Sequence, residues 1–159
     1  MTEETRLHAS HLQRGLAMVE FVLCAPILLL LLFGTVEFGH FLTEYSTLND
    51  AVRDAARYVA GSALNGTDGL LKQGAAWASL QQEGQNLAVF GNKTGSGTPL
   101  LPSLAVGQIT VGEDTVNNNI TVAAAYPYRA LFGASVPNFM GGSIATNFTL
   151  SISTTMRAL

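Results

Sequence analysis

The sequence predicts an α+β fold: a long N-terminal helix, transmembrane in its first half and amphipathic in its second, then a shorter helix and a small antiparallel sheet of about three strands. Three observations carry this. Apolar residues concentrate between Leu16 and Leu42. Apolar positions then recur at steps of three and four as far as Val59. From Ile109 onward the period changes to two. Periods near 3.6 and 2 are those of helix and strand.

The stretch 16–36 carries one charge, Glu20, and is closed by Glu37. A membrane helix needs about 20 mostly apolar residues, so this stretch is long enough to span. Arg6 and Arg14 lie before it, and the first basic residue after it is Arg53. Basic residues favour the cytoplasmic side. This places the N-terminus in the cytoplasm and the bulk of the chain outside, with the lipid bilayer as a partner. A secretory signal peptide would have a shorter apolar core and a small-x-small exit. The exit here, Phe33-Gly34-Thr35-Val36-Glu37, offers no such site. An uncleaved signal anchor is the stronger rival.

Beyond the span, Phe38, Phe41, Tyr45, Leu48, Val52, Ala55 and Val59 form a heptad-type stripe. His40, Glu44, Thr47, Asp50, Asp54 and Arg57 fall off it. Intramolecular packing is expected to use most of the stripe, and contact between subunits the remainder. Gly61 is a plausible stop. From residue 16 to residue 60 the helix would measure roughly 65–70 Å, half in lipid and half on a domain. Pro26 interrupts it, either as a tolerated kink or as a point of local unwinding.

Residues 62–69 are rich in turn formers. Thr67 or Asp68 could cap a second helix, whose stripe of Leu70, Trp77, Leu80 and Leu87 reaches about Phe90. Gly91 to Ser103 reads as a loop. Its glycines and Lys93 stand in the wrong order for a phosphate loop. Strands are expected around Ile109 and Val111, from Ile120 to Tyr126, and from Phe148 to Met156. A hairpin loop at 112–118 connects the first two, and Tyr126-Pro127-Tyr128 with the long segment 129–143 makes the crossing to the last. One face of the sheet should pack on the helix stripe and Trp77. Four Asn-x-Ser/Thr sequons, beginning at Asn65, Asn92, Asn119 and Asn147, are assigned no glycosylation.

The 159 residues suffice for one compact domain and an anchor. Charged residues make up 12%, about half the level of soluble domains. A net charge of -3 without a Lys/Arg stripe excludes a nucleic-acid surface. The single cysteine, Cys24, lies inside the apolar run and reads as a small filler. Of three histidines, two lie before residue 16 and His40 falls at the membrane surface. No metalloprotease or serine-hydrolase motif occurs. Glu113 and Asp114 read as a solvated hairpin tip, with a weak cation contact as the alternative. The chain is thus read as no enzyme, with no cofactor and no small-molecule substrate.

A carboxylate inside a span costs on the order of 2.5–3.5 kcal/mol near its centre and less near the interface, so Glu20 calls for a role. It stands five residues after Gly15, in the order Gly15, Leu16, Ala17, Met18, Val19, Glu20, Phe21. This resembles the processing signal of type IV prepilins. The resemblance implies that a prepilin peptidase cuts between Gly15 and Leu16, and that the new amine meets the glutamate of a neighbour. The bland alternative for Glu20 is an interfacial carboxylate reaching the headgroups. More narrowly, Val19-Glu20-Phe21, Pro26 before the leucine run, Gly34-Thr35-Val36-Glu37-Phe38-Gly39 and Asp50-Ala51-Val52-Arg53-Asp54-Ala55-Ala56-Arg57-Tyr58 resemble the TadE-like family. These are minor pseudopilins of the tight-adherence (Flp, type IVb) pilus. The tail at 150–157 resembles the family's closing strand more weakly.

That resemblance implies three segments: a cleaved cytoplasmic leader at 1–15, a transmembrane helix with an amphipathic extension at 16–61, and a periplasmic α+β domain at 62–159. It implies processing residues Gly15, Leu16, Glu20 and Phe21, and packing or assembly residues Glu37, Phe38, Phe41, Tyr45, Leu48, Val52, Arg53, Arg57 and Tyr58. The implied partners are the prepilin peptidase, an inner-membrane pilus platform and other minor or major pilins. The implied site is the bacterial inner membrane, with possible entry into the pilus. The alternative is an uncleaved, membrane-anchored periplasmic binding or scaffold protein outside any pilus.

Overall fold

The computed structural model describes residues 3–66, 68–138 and 141–159. It has the expected α+β content: a long apolar N-terminal helix, a shorter second helix and a three-stranded antiparallel sheet. The chain divides into two compact units, Met1–Gly39 and His40–Leu159.

The first helix, α1, runs Glu3–Ser62 with Pro26 inside it. It starts well before residue 16, although the leading segment shows no apolar period. That segment has no proline, and no glycine before Gly15. In the first unit, Met18, Phe21, Leu23, Leu31 and Leu32 all face outward. The part Ala17–Ser62 is long and apolar enough to cross a membrane.

In the second unit α1 becomes one wall of a core. Leu48, Val52, Ala55, Ala56 and Val59 are fully buried, joined by Ala51, Ala60 and Ala63. The stripe is therefore wider than the heptad reading, because small alanines beside it also lie under the domain. The second helix, α2, spans Ala75–Phe90 and buries Trp77, Leu80, Gly84, Ala88 and Val89. It begins later than the sequence suggested. Leu70 is exposed, while Leu71 is buried and bridges to Leu64 in extended backbone. Thr67 lies outside the described residues, and Asp68 is not the cap. The cap is Gly74, at φ 61, with no side-chain bond. Positive φ there is open to glycine at little cost, so a turn displaced the polar cap.

The sheet order is β1-β2-β5, both pairs antiparallel. The strands are β1 Ile109–Asp114, β2 Asn119–Tyr128 and β5 Phe148–Arg157. Ile109, Val111, Ile120, Val122, Ala124, Tyr126, Leu150 and Ile152 point into the core. Three corrections apply. The first hairpin loop is tighter than 112–118, because β1 continues to Asp114 and the turn closes with Asn118 at φ 53. β2 runs on through Pro127 to Tyr128. The segment 129–143 is not a bare crossing: a second hairpin forms from β3, Ser135–Asn138, and β4, Gly142–Ala145. Four-residue strands with glycine and proline carry too little period to be read.

Pro127 is tolerated for a register reason. Gln81 and Gln85 of α2 donate their side-chain amides to the carbonyls of Val111 (2.8 Å) and Ile109 (3.0 Å). Those carbonyls therefore point away from β2. In an antiparallel pair, hydrogen-bonded positions alternate, so the odd-numbered residues of β2 bond to β1 and the even-numbered ones to β5. β1 ends its pairing at Ala124. Pro127 thus faces a side where no strand needs its N–H.

α1 and α2 pack tightly at Gly84. A Cβ there would meet Val59 Cγ2 at 2.5 Å. Gly84→Ala should destabilise the protein by about 1–3 kcal/mol through overpacking. Val59→Ala should partly relieve it in the double mutant. Thermal unfolding of the detergent-solubilised wild type, both single mutants and the double mutant measures this. Strict additivity would show that the two sites do not meet.

Candidate functional site

The processing residues lie on α1. Gly15 and Leu16 are in its first third. Glu20 and Phe21 follow, both exposed. Positions 16 and 20 are four apart, so they share a face one turn apart, about 6 Å along the axis. Pro26 and Cys24 are exposed on the same apolar helix. Chemically this segment offers one carboxylate among apolar side chains.

The assembly candidates separate into two groups. Leu48 and Val52 are fully buried, Phe41 is partly buried, and these serve the core. Tyr58 is half-buried. Its hydroxyl donates to Glu83 Oε2 at 2.5 Å, and Lys93 Nζ stands 4.2 Å from its ring centre. The Glu83 bond, then burial, pushes the Tyr58 hydroxyl up, against the Lys93 charge. Phe38, Tyr45, Arg53 and Arg57 are exposed, and Glu37 is half-buried. Only this second group can meet another molecule without opening the domain.

A polar cluster that the sequence reading missed lies where α1 enters the second unit. Glu44, placed off the stripe by the heptad pattern, is 6% exposed. His40 Nε2 lies 3.5 Å from its Oε1, and His40 Nδ1 lies 3.4 Å from the Tyr128 hydroxyl. Glu44 Oε2 has no hydrogen-bond partner among the described residues. Tyr126 is buried, and its hydroxyl donates to the Pro102 carbonyl at 2.9 Å. That single proton is then unavailable to Glu44. Burial, and then the neighbouring Glu44 carboxylate, push the Tyr126 hydroxyl up to about 12. Around this cluster, the rings of Phe41, Tyr45, Tyr128 and Phe148 pack together, Phe41 edge-on to Tyr128 and Tyr128 tilted against Phe148 at 5.1 Å. The signal was present: Glu44 is four residues from both His40 and Leu48, and three from Phe41.

At the far end of the sheet, Asp114 accepts bonds from Val116 N, Asn117 N and the Asn117 side chain. Asn117, then the two backbone amides, hold its carboxyl below the usual range. Asp114 therefore fastens a turn, and Glu113 stands exposed beside it. Asn92 does the same for its own loop, accepting from Ser96 N and donating to the Ser96 carbonyl. Among the described residues, no group of three His, Cys, Asp or Glu could hold a metal.

The Tyr126 shift carries a pH dependence. A tyrosine whose folded pKa is raised stabilises the protein fully below its unfolded value, about 10. That contribution is lost as pH rises through about 12. Tyr126→Phe should cost about 1 kcal/mol at neutral pH and flatten the alkaline fall. Tyr58, which is raised too, contributes to the residual fall. Melting curves of both proteins from pH 8 to pH 12 measure the difference. Parallel falls would rule Tyr126 out.

No curated protein and no solved structure matches this chain. A family model does: the one described as TadE-like protein matches residues 15–57, a segment wholly within α1. The family that the sequence resembles is thus the family whose model this helix matches.

Proposed function

We propose that this chain is a minor pseudopilin that serves assembly of a tight-adherence (Flp, type IVb) pilus. The observation that carries the reading is the family match. It opens at Gly15, the residue before the proposed cut, and runs through Glu20 to Arg57. The apolar helix supports a membrane anchor, since Ala17–Ser62 is long and apolar enough to cross.

In this reading the prepilin peptidase cuts between Gly15 and Leu16 on the cytoplasmic face. Residues 1–15 are the leader, 16–61 the anchor helix and 62–159 a periplasmic domain. Cutting creates a charged amine at Leu16, with a pKa near 8. Glu20 of a neighbouring pilin-like subunit compensates it in an apolar bundle, where neither charge is tolerated alone. Exposed Phe38, Tyr45, Arg53 and Arg57 face the pilus platform or other pilins. Buried Leu48 and Val52 act only by holding the domain together.

Mature protein should begin at Leu16. A bulky residue at Gly15 should block the cut. N-terminal sequencing of membrane-extracted protein, from cells with an active prepilin peptidase, checks both. A start at Met1 or Thr2 would instead favour an uncleaved anchored protein. Glu20→Ala should leave a processed, inserted protein that fails to support pili. An uncompensated buried amine costs about 3–5 kcal/mol, while insertion itself improves. The readouts are an immunoblot for mature size and a count of surface pili. Normal piliation would reduce Glu20 to an interfacial anchor.

A further inference from the structure

The two edges of the sheet are treated differently. On β1, the outward carbonyls of Ile109 and Val111 are closed by Gln85 and Gln81. β5 forms the other edge. By the alternation set out above, its even-numbered residues bond to β2, through pairs such as Ile120 with Met156 and Val122 with Thr154. Its odd-numbered residues, Thr149, Ser151, Ser153, Thr155 and Arg157, then turn their N–H and C=O groups outward. All five are exposed. Among the described residues, no backbone bond beyond the β2 ladder reaches them.

Open edges of this length are normally blunted by lysine, proline, a bulge or a covering element. β5 pairs with β2 without interruption over ten positions, from Phe148 to Arg157. It contains no proline and no lysine, and its one charge, Arg157, stands at its end. Its outward-facing side chains are otherwise hydroxyls, and Thr121 and Thr155 already share one bond at 2.9 Å.

We infer that the β5 edge is an interface on which a second copy of this chain adds its own β5, antiparallel, to make a continuous six-stranded sheet. The sequence is self-complementary in that register. With Ser153 opposite Ser153 of the copy, Ser151 meets Thr155 and Thr149 meets Arg157. Every odd-numbered residue then faces an odd-numbered residue, which the outward bonding groups require. On the core side, Leu150 meets Met156 and Ile152 meets Thr154, so apolar character continues across the junction. No two like charges oppose. A foreign strand could use the backbone alone, but the matching of both faces favours the copy.

The test uses full-length, detergent-solubilised protein with Cys24→Ser, so that one introduced cysteine is the only thiol. Ser153→Cys should cross-link to a dimer under mild oxidant, because paired antiparallel positions bring Cα atoms about 5.5 Å apart, within disulfide reach. Thr110→Cys, on the same sheet but away from this edge, should not. Ser151→Cys and Thr155→Cys should cross-link to each other when mixed and only weakly alone. Ser153→Lys should weaken dimerisation on the order of tenfold in sedimentation analysis. Ser153→Pro should do so too while keeping the fold, since it removes only an outward N–H. Circular dichroism checks that fold, and the lysine variant stands in if proline disturbs it. A monomeric wild type with no Ser153→Cys dimer would overturn the inference. So would cross-linking in cells to a different protein alone. Neither result bears on processing at Gly15.

Discussion

The domain depends on burying one face of α1 from Leu48 to Ala60. A three-stranded sheet and a single short helix cannot close a core between them, since small sheets need a packed face to be stable. Here the missing wall is the distal part of the N-terminal helix. Val52, Ala55, Ala56 and Val59 are entirely shielded, as are Ile120 and Val122 on the sheet. Burying each larger aliphatic side chain is worth about 1.5–3 kcal/mol. Small residues set the spacing: alanine recurs along α1, and Gly84 admits the methyl groups of Val59. α1 belongs to both units, so the element that is long and apolar enough for a membrane is also the one the folded domain cannot lose.

Two polar clusters stand at opposite ends of the sheet. At one end, Glu44, His40, Tyr126 and Tyr128 are held among aromatic rings. At the other, Asp114 fastens a turn through three bonds. Between them the core is apolar. A partly satisfied buried carboxylate is a costly feature.

Much of this was legible in the sequence. The long apolar helix, the stripe and three alternating strands were all readable, the last two from period, because core-facing residues must repeat with their element. Phe148 to Met156 could be read almost to its ends for that reason. The start of α2 could not, since a glycine at positive φ replaced the polar cap that Asp68 advertised. Glu44 was misplaced because a heptad pattern lists apolar positions and cannot see a carboxylate folded in among them. The β3–β4 hairpin was invisible because its strands are short and alternate weakly. Of the proposed processing site, residue types and spacing alone were readable. What Gly15 and Glu20 do depends on other molecules, and no fold of a single chain encodes that.

The sheet's central strand receives β1 from just before it in sequence and β5 from well after. The wall formed by α1 meets partners more than fifty residues downstream, and Leu159 N bonds back to the Ala60 carbonyl at 3.1 Å. Contacts of such high sequence separation form slowly. During synthesis the helix emerges first, with its apolar face made long before any strand can cover it. Until β5 has been translated and paired, that face remains adhesive, open to lipid, chaperones and other nascent chains. The timing of translation therefore acts on this protein most strongly in the interval between its first helix and its last strand.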